Sequence, residues 1–314
     1  MKTRAGGAAL AVWLLAACTG AGTNPGGPAA DVGRRLSVPA PAEALSMRTW
    51  PAQGPTKAVI LALHGFGDAG ELTFGNAAAY WASRGISVYA PDQRGFGANA
   101  SRKQWPGPDA LAEDAVVLAA ALRAQHPGVP LLVVGHSMGG GVALAAAAQG
   151  MDADALVLAG PAIAGGDALN PALRATGWVA AAVLPERRWT GEGLVEIQPS
   201  DNIEEIQRVA SDPRHFGDPS SRELYGLVRV MDRATAAAPD VTMPTLVLVG
   251  VHDEILRPEQ VRRVYDTIPG GIGFIVYRDG WHWLFRDRQA ERVWRDVGDF
   301  ALSARRAPAG AASR

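Results

Sequence analysis

One stretch of the chain, residues 131–140, constrains the fold more than any other. Four branched apolar residues are followed by Gly-His-Ser-Met-Gly and then by an alanine-rich segment. This order predicts a buried strand, a sharp turn and a helix, with Ser137 at the apex of the turn at positive φ. The flanks of such a turn approach so closely that side chains at Gly135 and Gly139 would collide, which explains glycine at both positions. A serine held at such an apex, beside a base and under backbone N–H groups, has the arrangement that a nucleophile requires.

The composition is that of an ordinary globular protein. The chain has 314 residues, of which 48% are hydrophobic and 19% charged, and it is long enough for one large domain with an insertion. Lys and Arg number 30 and Asp and Glu number 31, so the chain lacks the basic excess that nucleic-acid binding requires. The six histidines and one cysteine have no paired ligand spacing. We therefore expect no metal site and no disulfide framework.

The N-terminus has the features of an exported lipoprotein. Residues 1–17 begin with basic residues and continue in an apolar run too short to span a bilayer comfortably, which is typical of a signal peptide. The sequence Leu-Ala-Ala-Cys at 15–18 resembles the lipobox of bacterial lipoproteins; the alternative is an ordinary signal peptide with a cysteine near its cleavage site. We predict that Cys18 is lipidated and that 18–45 is a flexible linker. The protein would then be held at a membrane surface of the bacterial cell envelope.

Short branched apolar runs alternate with longer segments of helical spacing in the rest of the chain. This alternation predicts an α/β fold with a mainly parallel, doubly wound sheet and helices on both faces. The predicted strands are 59–63, 86–90, 131–134, 155–159, 245–249 and 273–277. Asp109 is placed to cap one of the helices. The regularity then fails, and we predict a core at 46–160 and 240–304, a mostly helical cap inserted at 161–239, and a disordered tail at 305–314.

A serine nucleophile also requires an acid and a histidine base, which in this fold follow the serine in that order, each after a strand. Asp253 follows the fifth predicted strand and His282 follows the sixth. We predict that His282 takes the proton from Ser137, while Asp253 orients the imidazole and stabilises its cation. Glu254 is the alternative acid, and Asp279 is a weaker one.

The remaining requirement is a pair of N–H donors for the negative oxygen that develops during the reaction. The N–H of Met138, at the start of the helix, is predicted to be one donor. The N–H of Phe66, in the glycine-rich loop at 64–67, is predicted to be the other. We expect His64 to support this loop by hydrogen bonds and His136 to pack beside the serine turn.

These motifs resemble those of the α/β-hydrolase superfamily, and within it the monoacylglycerol lipase and lysophospholipase branch, also called the serine aminopeptidase family. The resemblance runs from about Met47 to Ala304. It is carried by the segments 64–67, 92–97, 135–140, 244–253 and 280–282. The resemblance implies a cofactor-free hydrolase with a cap over its pocket. Serine at 137 argues against the dehalogenase and epoxide hydrolase relatives, which use aspartate at that position.

The sequence therefore predicts an esterase that cleaves monoacylglycerols, lysophospholipids or similar small acyl esters through an acyl-enzyme. An aminopeptidase or amidase is the alternative enzyme, and a non-catalytic binding protein is the alternative from another class. The intact set of predicted catalytic residues argues against a silent protein. Five apolar residues of the predicted cap offer a route for an acyl chain or, alternatively, form a small core of the cap: Trp178, Val179, Val183, Leu184 and Trp189. The sequence does not specify an oligomeric state.

Overall fold

The computed structural model describes residues 44–165, 170–190 and 197–304. The predicted signal peptide 1–17, the predicted lipidation site Cys18 and the predicted tail 305–314 lie outside these residues, as does all of the linker 18–45 except its last two residues. Within the described residues, no helix is both long and apolar enough to cross a membrane.

Seven strands form one sheet in the part of the chain that the structure describes. Their bounds are Met47–Trp50 (β1), Ala58–Leu63 (β2), Ile86–Pro91 (β3), Leu131–His136 (β4), Ala155–Ala159 (β5), Thr245–Gly250 (β6) and Gly271–Tyr277 (β7). The order across the sheet is β1-β3-β2-β4-β5-β6-β7. β1 is antiparallel to β3, and all other neighbouring strands are parallel. The predicted fold class, a mainly parallel α/β sheet, is confirmed.

The described residues also contain eight α-helices. Their bounds are Gly70–Ser83 (α1), Pro108–Gln125 (α2), Met138–Ala148 (α3), Pro171–Val183 (α4), Ile203–Ser211 (α5), Ser221–Ala237 (α6), Pro258–Tyr265 (α7) and Ala290–Ser303 (α8). Helices α2, α3 and α7 pack on one face of the sheet, and α1 and α8 pack on the other. Helices α4, α5 and α6 lie between β5 and β6, within the segment predicted as the cap.

The central strands are apolar on both faces because helices cover both faces. In β2, Val59, Leu61 and Leu63 belong to the core on the α2 and α3 side. Ala58, Ile60 and Ala62 belong to the core on the α1 and α8 side. The sheet therefore forms the middle layer, and the loops at the carboxyl ends of its parallel strands meet at one edge.

The prediction that Asp109 caps a helix is wrong. Helix α2 begins with Pro108 after Gly107, and no side chain caps its first turn. Proline suits the first helical position because its fixed φ matches the helix and its missing N–H would have no helical partner there. Asp109 lies in the first turn, and its carboxylate forms an ion pair with Arg233 at 3.5 Å.

Candidate active site

Ser137 lies in the turn between β4 and α3. Its φ is 52°, in the left-handed region that the sequence predicts for the apex of such a turn. The glycines on either side are required by close backbone contact. A Cβ on Gly135 would lie 2.6 Å from the Cα of Gly140, and a Cβ on Gly139 would lie 2.7 Å from the carbonyl oxygen of His64. Strand β4, helix α3 and the loop after β2 therefore pack directly against one another around Ser137.

The structure brings Ser137, His282 and Asp253 together. The Nε2 of His282 lies 3.0 Å from the Oγ of Ser137, and its Nδ1 lies 2.8 Å from Oδ2 of Asp253. All three side chains are buried. Because a carboxylate only accepts hydrogen bonds, Nδ1 carries the proton and Nε2 presents its lone pair to the serine hydroxyl. This tautomer is the one that a base for Ser137 requires.

Asp253 is itself held in place by the loop after β6. Its second oxygen, Oδ1, accepts hydrogen bonds from the backbone N–H groups of Ile255 at 2.9 Å and Leu256 at 2.7 Å. The two alternative acids of the sequence lie elsewhere. Glu254 is exposed and accepts a hydrogen bond from the backbone N–H of Gln198 at 3.3 Å, and Asp279 is also exposed. The carboxylate hydrogen-bonded to the His282 imidazole is that of Asp253.

The glycine-rich loop after β2 lies against Ser137. A Cβ on Gly65 would lie 3.3 Å from the Cβ of Ser137. The buried His64 braces this loop: its Nδ1–H donates to the Gly65 carbonyl at 2.7 Å, and its Nε2 accepts from the backbone N–H of Gln93 at 2.8 Å. Burial lowers the pKa of His64, so the ring is neutral when it makes these bonds. His64 therefore supports the loop, as the sequence predicts.

Phe66 and Met138, the two predicted N–H donors, each follow one of the two residues, Gly65 and Ser137, that lie in contact. Phe66 follows Gly65 in the loop, and Met138 follows Ser137 as the first residue of α3. N–H groups in the first turn of a helix have no partner within the helix and lie at its positive end. The Phe66 ring is buried against Phe96, with 5.4 Å between the ring centroids.

His136 packs between the serine turn and the histidine loop. Its Nε2–H donates to the backbone carbonyl of His282 at 2.9 Å, and the two imidazole rings are 5.1 Å apart. Burial, reinforced by the neighbouring His282 and Arg286, lowers the pKa of His136 to about 3. His136 is therefore an uncharged support for His282 at neutral pH.

Two buried carboxylates near the site were not identified from the sequence. Asp68, after the glycine-rich loop, forms a buried ion pair with Arg286 at 2.7 Å. Burial opposes its ionisation, but Arg286, His215, His64 and the backbone N–H of Ala69 together outweigh burial and lower the pKa of Asp68 to about 2. Asp287 accepts hydrogen bonds from the backbone N–H of Trp281 at 2.8 Å and from the hydroxyl of Ser200 at 2.7 Å. Burial raises the pKa of Asp287 to about 6.

No cluster of three or more His, Cys, Asp and Glu side chains with the geometry of a metal site occurs among the described residues. The chemistry that these residues can perform is nucleophilic attack by the Ser137 hydroxyl, with His282 as the base.

Sequence comparison gives the family. The family model described as "Serine aminopeptidase, S33" matches residues 54–289. The chain belongs to this family. It is therefore a hydrolase, and the family resemblance seen in the sequence is confirmed.

Individual relatives agree with this assignment. A monoacylglycerol lipase from Mycolicibacterium smegmatis is 29% identical to this hydrolase over 262 residues, covering 81% of this chain and 91% of that protein. The crystal structure of a monoacylglycerol lipase from Paleococcus ferrophilus superposes with a TM-score of 0.70 at 22% identity, covering 82% of this chain and 98% of that one. A soluble variant of a monoglyceride lipase from Saccharomyces cerevisiae, in complex with a substrate analog, superposes with a TM-score of 0.71 at 18% identity, covering 90% and 98%. The fold is the α/β-hydrolase fold.

Proposed function

We propose that this hydrolase cleaves small carboxylic esters, of the monoacylglycerol or lysophospholipid class, through an acyl-enzyme formed on Ser137. The observation that carries the proposal is the hydrogen-bonded order of Asp253, His282 and Ser137, with distances of 2.8 and 3.0 Å. The name of the relative from Mycolicibacterium smegmatis, a monoacylglycerol lipase, supports the substrate class.

The first half of the reaction acylates Ser137. Its hydroxyl proton passes to Nε2 of His282 while the oxygen attacks the ester carbonyl carbon. The carbonyl oxygen becomes an oxyanion and accepts hydrogen bonds from the N–H groups of Met138 and Phe66. His282 then donates the proton to the departing alkoxide, and the alcohol leaves. Throughout this half-reaction the carboxylate of Asp253 stabilises the imidazolium form of His282.

The second half of the reaction returns the enzyme to its starting state. A water molecule gives a proton to Nε2 of His282 and attacks the acyl carbonyl carbon. The second tetrahedral intermediate uses the same two N–H donors, and it collapses when Ser137 leaves and takes the proton back from His282. The products are a carboxylic acid and an alcohol, and no metal or cofactor enters either half.

Exposed apolar residues at the C-terminal end of helix α4 support a lipid-like substrate. Trp178 and Val183 are 58% and 70% exposed, and Val179 and Leu184 are exposed beside them. Because all four side chains are exposed, they do not form the small core that was the alternative for them. Trp189 differs, because it is half-buried and its indole N–H donates to the hydroxyl of Ser221 at 2.9 Å. An apolar surface of this kind is suited to contact acyl chains.

The most direct test of the proposal compares esters with amides. The purified protein should hydrolyse p-nitrophenyl butyrate and monoacylglycerols, and it should turn over amino-acid p-nitroanilides far more slowly. A fluorophosphonate probe should label the wild type and not Ser137→Ala. Faster turnover of the amides would favour the aminopeptidase alternative, and a wild-type protein that neither labels nor turns over any substrate would favour the binding protein.

We further propose that the enzyme acts at a membrane surface of the bacterial cell envelope, held there by lipidated Cys18. The exposed apolar residues at the end of α4 support this location, because an anchored enzyme would meet acyl lipids at that surface. Cys18→Ser should release the protein from membranes without changing turnover of a soluble short-chain ester. Wild-type protein found wholly in the soluble fraction would contradict the proposed anchor.

A further inference from the structure

The loop at 64–67, which carries the proposed Phe66 N–H donor, contacts the segment inserted between β5 and β6. The contact is made by Phe216, which lies between α5 and α6. The backbone N–H of Phe216 donates to the carbonyl of Gly67 at 2.9 Å. Gly67 has a φ of 72°, and a Cβ there would lie 2.6 Å from the carbonyl oxygen of Phe216. The backbone of Gly67 is therefore in direct contact with the backbone of Phe216.

The side chain of Phe216 lies in a group of four aromatic rings, with Phe66, Phe96 and Trp105. It packs edge-on against Phe66 with 5.9 Å between centroids, and it stacks on Phe96 at 5.6 Å with an angle of 4° between the ring planes. Phe96 in turn packs edge-on against Phe66. Offset-stacked and edge-on pairs are the favoured aromatic geometries. Removing the Phe216 ring would leave the Phe66 ring with Phe96 and Trp105 as its aromatic neighbours, and we expect the loop backbone to shift toward the vacated space.

The segment around Phe216 is fixed to the core by contacts of its own. The guanidinium of Arg102 donates to the backbone carbonyl of His215 at 2.9 Å. The ammonium of Lys103 binds both carboxylate oxygens of Asp218 at 2.8 and 3.0 Å. Both cations also lie over the Phe216 ring, at 5.6 and 5.7 Å from its centroid. Phe216 is therefore a fixed part of the segment between β5 and β6, and it does not depend on helix α4 for its position.

We propose that Phe216 is a positioning residue for the oxyanion N–H donor of Phe66. This inference rests on the proposed function, because it concerns the N–H group assigned there. An oxyanion donor acts at about 3 Å and aims at a charge that exists only in the transition state. A loop displaced by a few tenths of an ångström weakens that bond while leaving ground-state substrate binding nearly unchanged. Loss of the Phe216 ring should therefore lower kcat and leave KM nearly constant.

The test uses Phe216→Ala and Phe216→Leu, with Phe274→Ala as a matched control. Phe274 lies in the edge strand β7 and packs against Tyr265 at 5.3 Å, away from the 64–67 loop. We expect Phe216→Ala to lower kcat on p-nitrophenyl butyrate by about 10- to 100-fold, less than the loss expected from deleting a donor outright. Phe216→Leu should recover part of that loss. Phe274→Ala should lower the unfolding temperature while keeping kcat near the wild-type value.

A second measurement separates positioning from a general loosening of the structure. Sulfur accepts hydrogen bonds more weakly than oxygen, so the ratio of turnover on the ester to turnover on its thionoester analogue reports on N–H donation. This ratio should fall in both Phe216 variants and stay constant in Phe274→Ala. A folded Phe216→Ala enzyme with wild-type kcat, or with reduced kcat and an unchanged ratio, would overturn the proposal. If Phe216→Ala does not fold, the ratio in Phe216→Leu decides in the same way.

Failure of the proposed function would look different. In that case Ser137→Ala would retain turnover, whatever the Phe216 variants do. Loss of activity in Ser137→Ala together with unchanged catalysis in the Phe216 variants would leave the proposed function standing and reject only the positioning role.

Discussion

The loops that carry Ser137, Asp253 and His282 differ from helix α4 in burial, in polarity and in the way they are held. Each of the three side chains is at most 5% exposed, and hydrogen bonds link them in series. Helix α4 has no buried residue and exposes Trp178 and Val183. Substitutions in the loops should therefore change the chemical step on every substrate. Substitutions on α4 should matter only where the substrate is presented in a lipid phase.

Helix α4 packs along α6, and one of its contacts there is an ion pair. Arg174 pairs with Asp232 of α6 at 2.6 Å, and the pair is partly exposed, so it contributes little to stability. In contrast, the ion pair of Asp68 and Arg286 beside the catalytic loops is buried. Buried contacts are therefore found around the catalytic loops, where atoms must stay within tenths of an ångström. The α4 surface is under no such requirement.

The largest expected effect is that of Ser137→Ala. Removing the attacking oxygen should lower kcat by about a million-fold, the scale found when the nucleophile of such a group is deleted. The fold should be retained, because one oxygen atom is lost. Turnover of p-nitrophenyl butyrate measures the loss of kcat, and the thermal unfolding curve measures whether the fold is retained. Ser83→Ala, at an exposed serine of α1, is the matched control. Substantial esterase activity in purified Ser137→Ala would reject the nucleophile.

Asp253→Asn should lower kcat by about 10⁴-fold relative to the wild type. This loss is smaller than the one expected from Ser137→Ala. Asparagine keeps the shape but removes the negative charge that stabilises the His282 imidazolium and selects its tautomer. Glu254→Gln is the matched control and should leave kcat unchanged, because Glu254 is exposed and does not contact His282. The opposite pattern, a harmless Asp253→Asn and a crippling Glu254→Gln, would show that the acid has been assigned wrongly.

Asp287 should make stability depend on pH. Burial raises its pKa from 3.8 to about 6, so ionisation disfavours the folded state. Its contribution to stability is fully present below pH 4 and is lost as the pH rises through 6. The free energy of unfolding of Asp287→Asn relative to wild type should therefore increase between pH 4 and pH 7, by at most about 3 kcal/mol.

Urea unfolding at several pH values measures this difference. Asp201→Asn should weaken the pH dependence of the wild type, because Asp201 is a neighbouring aspartate whose carboxylate raises the pKa of Asp287. A difference between Asp287→Asn and wild type that stays constant from pH 4 to pH 7 would contradict the prediction.

The smallest expected effect lies on α4. Val183→Glu should leave turnover of a soluble short-chain ester unchanged and slow hydrolysis of monoacylglycerol in vesicles by about tenfold, since burying a valine side chain contributes about 1.5 kcal/mol. Thr176→Glu adds the same charge at an exposed position of the same helix and should have less effect. Equal losses on the soluble and the vesicle substrate would remove the distinction between α4 and the catalytic loops.

Most of the site was predictable because the fold restricts where its residues can be. Ser137, Asp253 and His282 each follow a branched apolar run, and parallel strands bring their carboxyl ends to one edge of the sheet. The order along the chain then limited the candidates to a few residues. The structure places these residues in contact, while their catalytic roles stay predictions.

What the sequence did not reveal depends on contacts between distant segments. Strand β1, with the sequence Met-Arg-Thr-Trp, is short and half-buried, so it lacks the apolar run that identified the other strands. Asp287 and Phe216 carry no local signal, because their importance comes from Trp281 and Gly67, which are brought to them only by the folded chain. Asp109 was misassigned since Pro108 determined where the helix begins.

The low pKa of His136 has a consequence for the proton count of the site. Two imidazole rings lie 5.1 Å apart, yet His136 stays uncharged down to a pH of about 3. His136 therefore takes up no proton over the working range. Protonation of His136 should therefore add nothing to the acidic fall of a plot of log kcat/KM against pH above a pH of about 3.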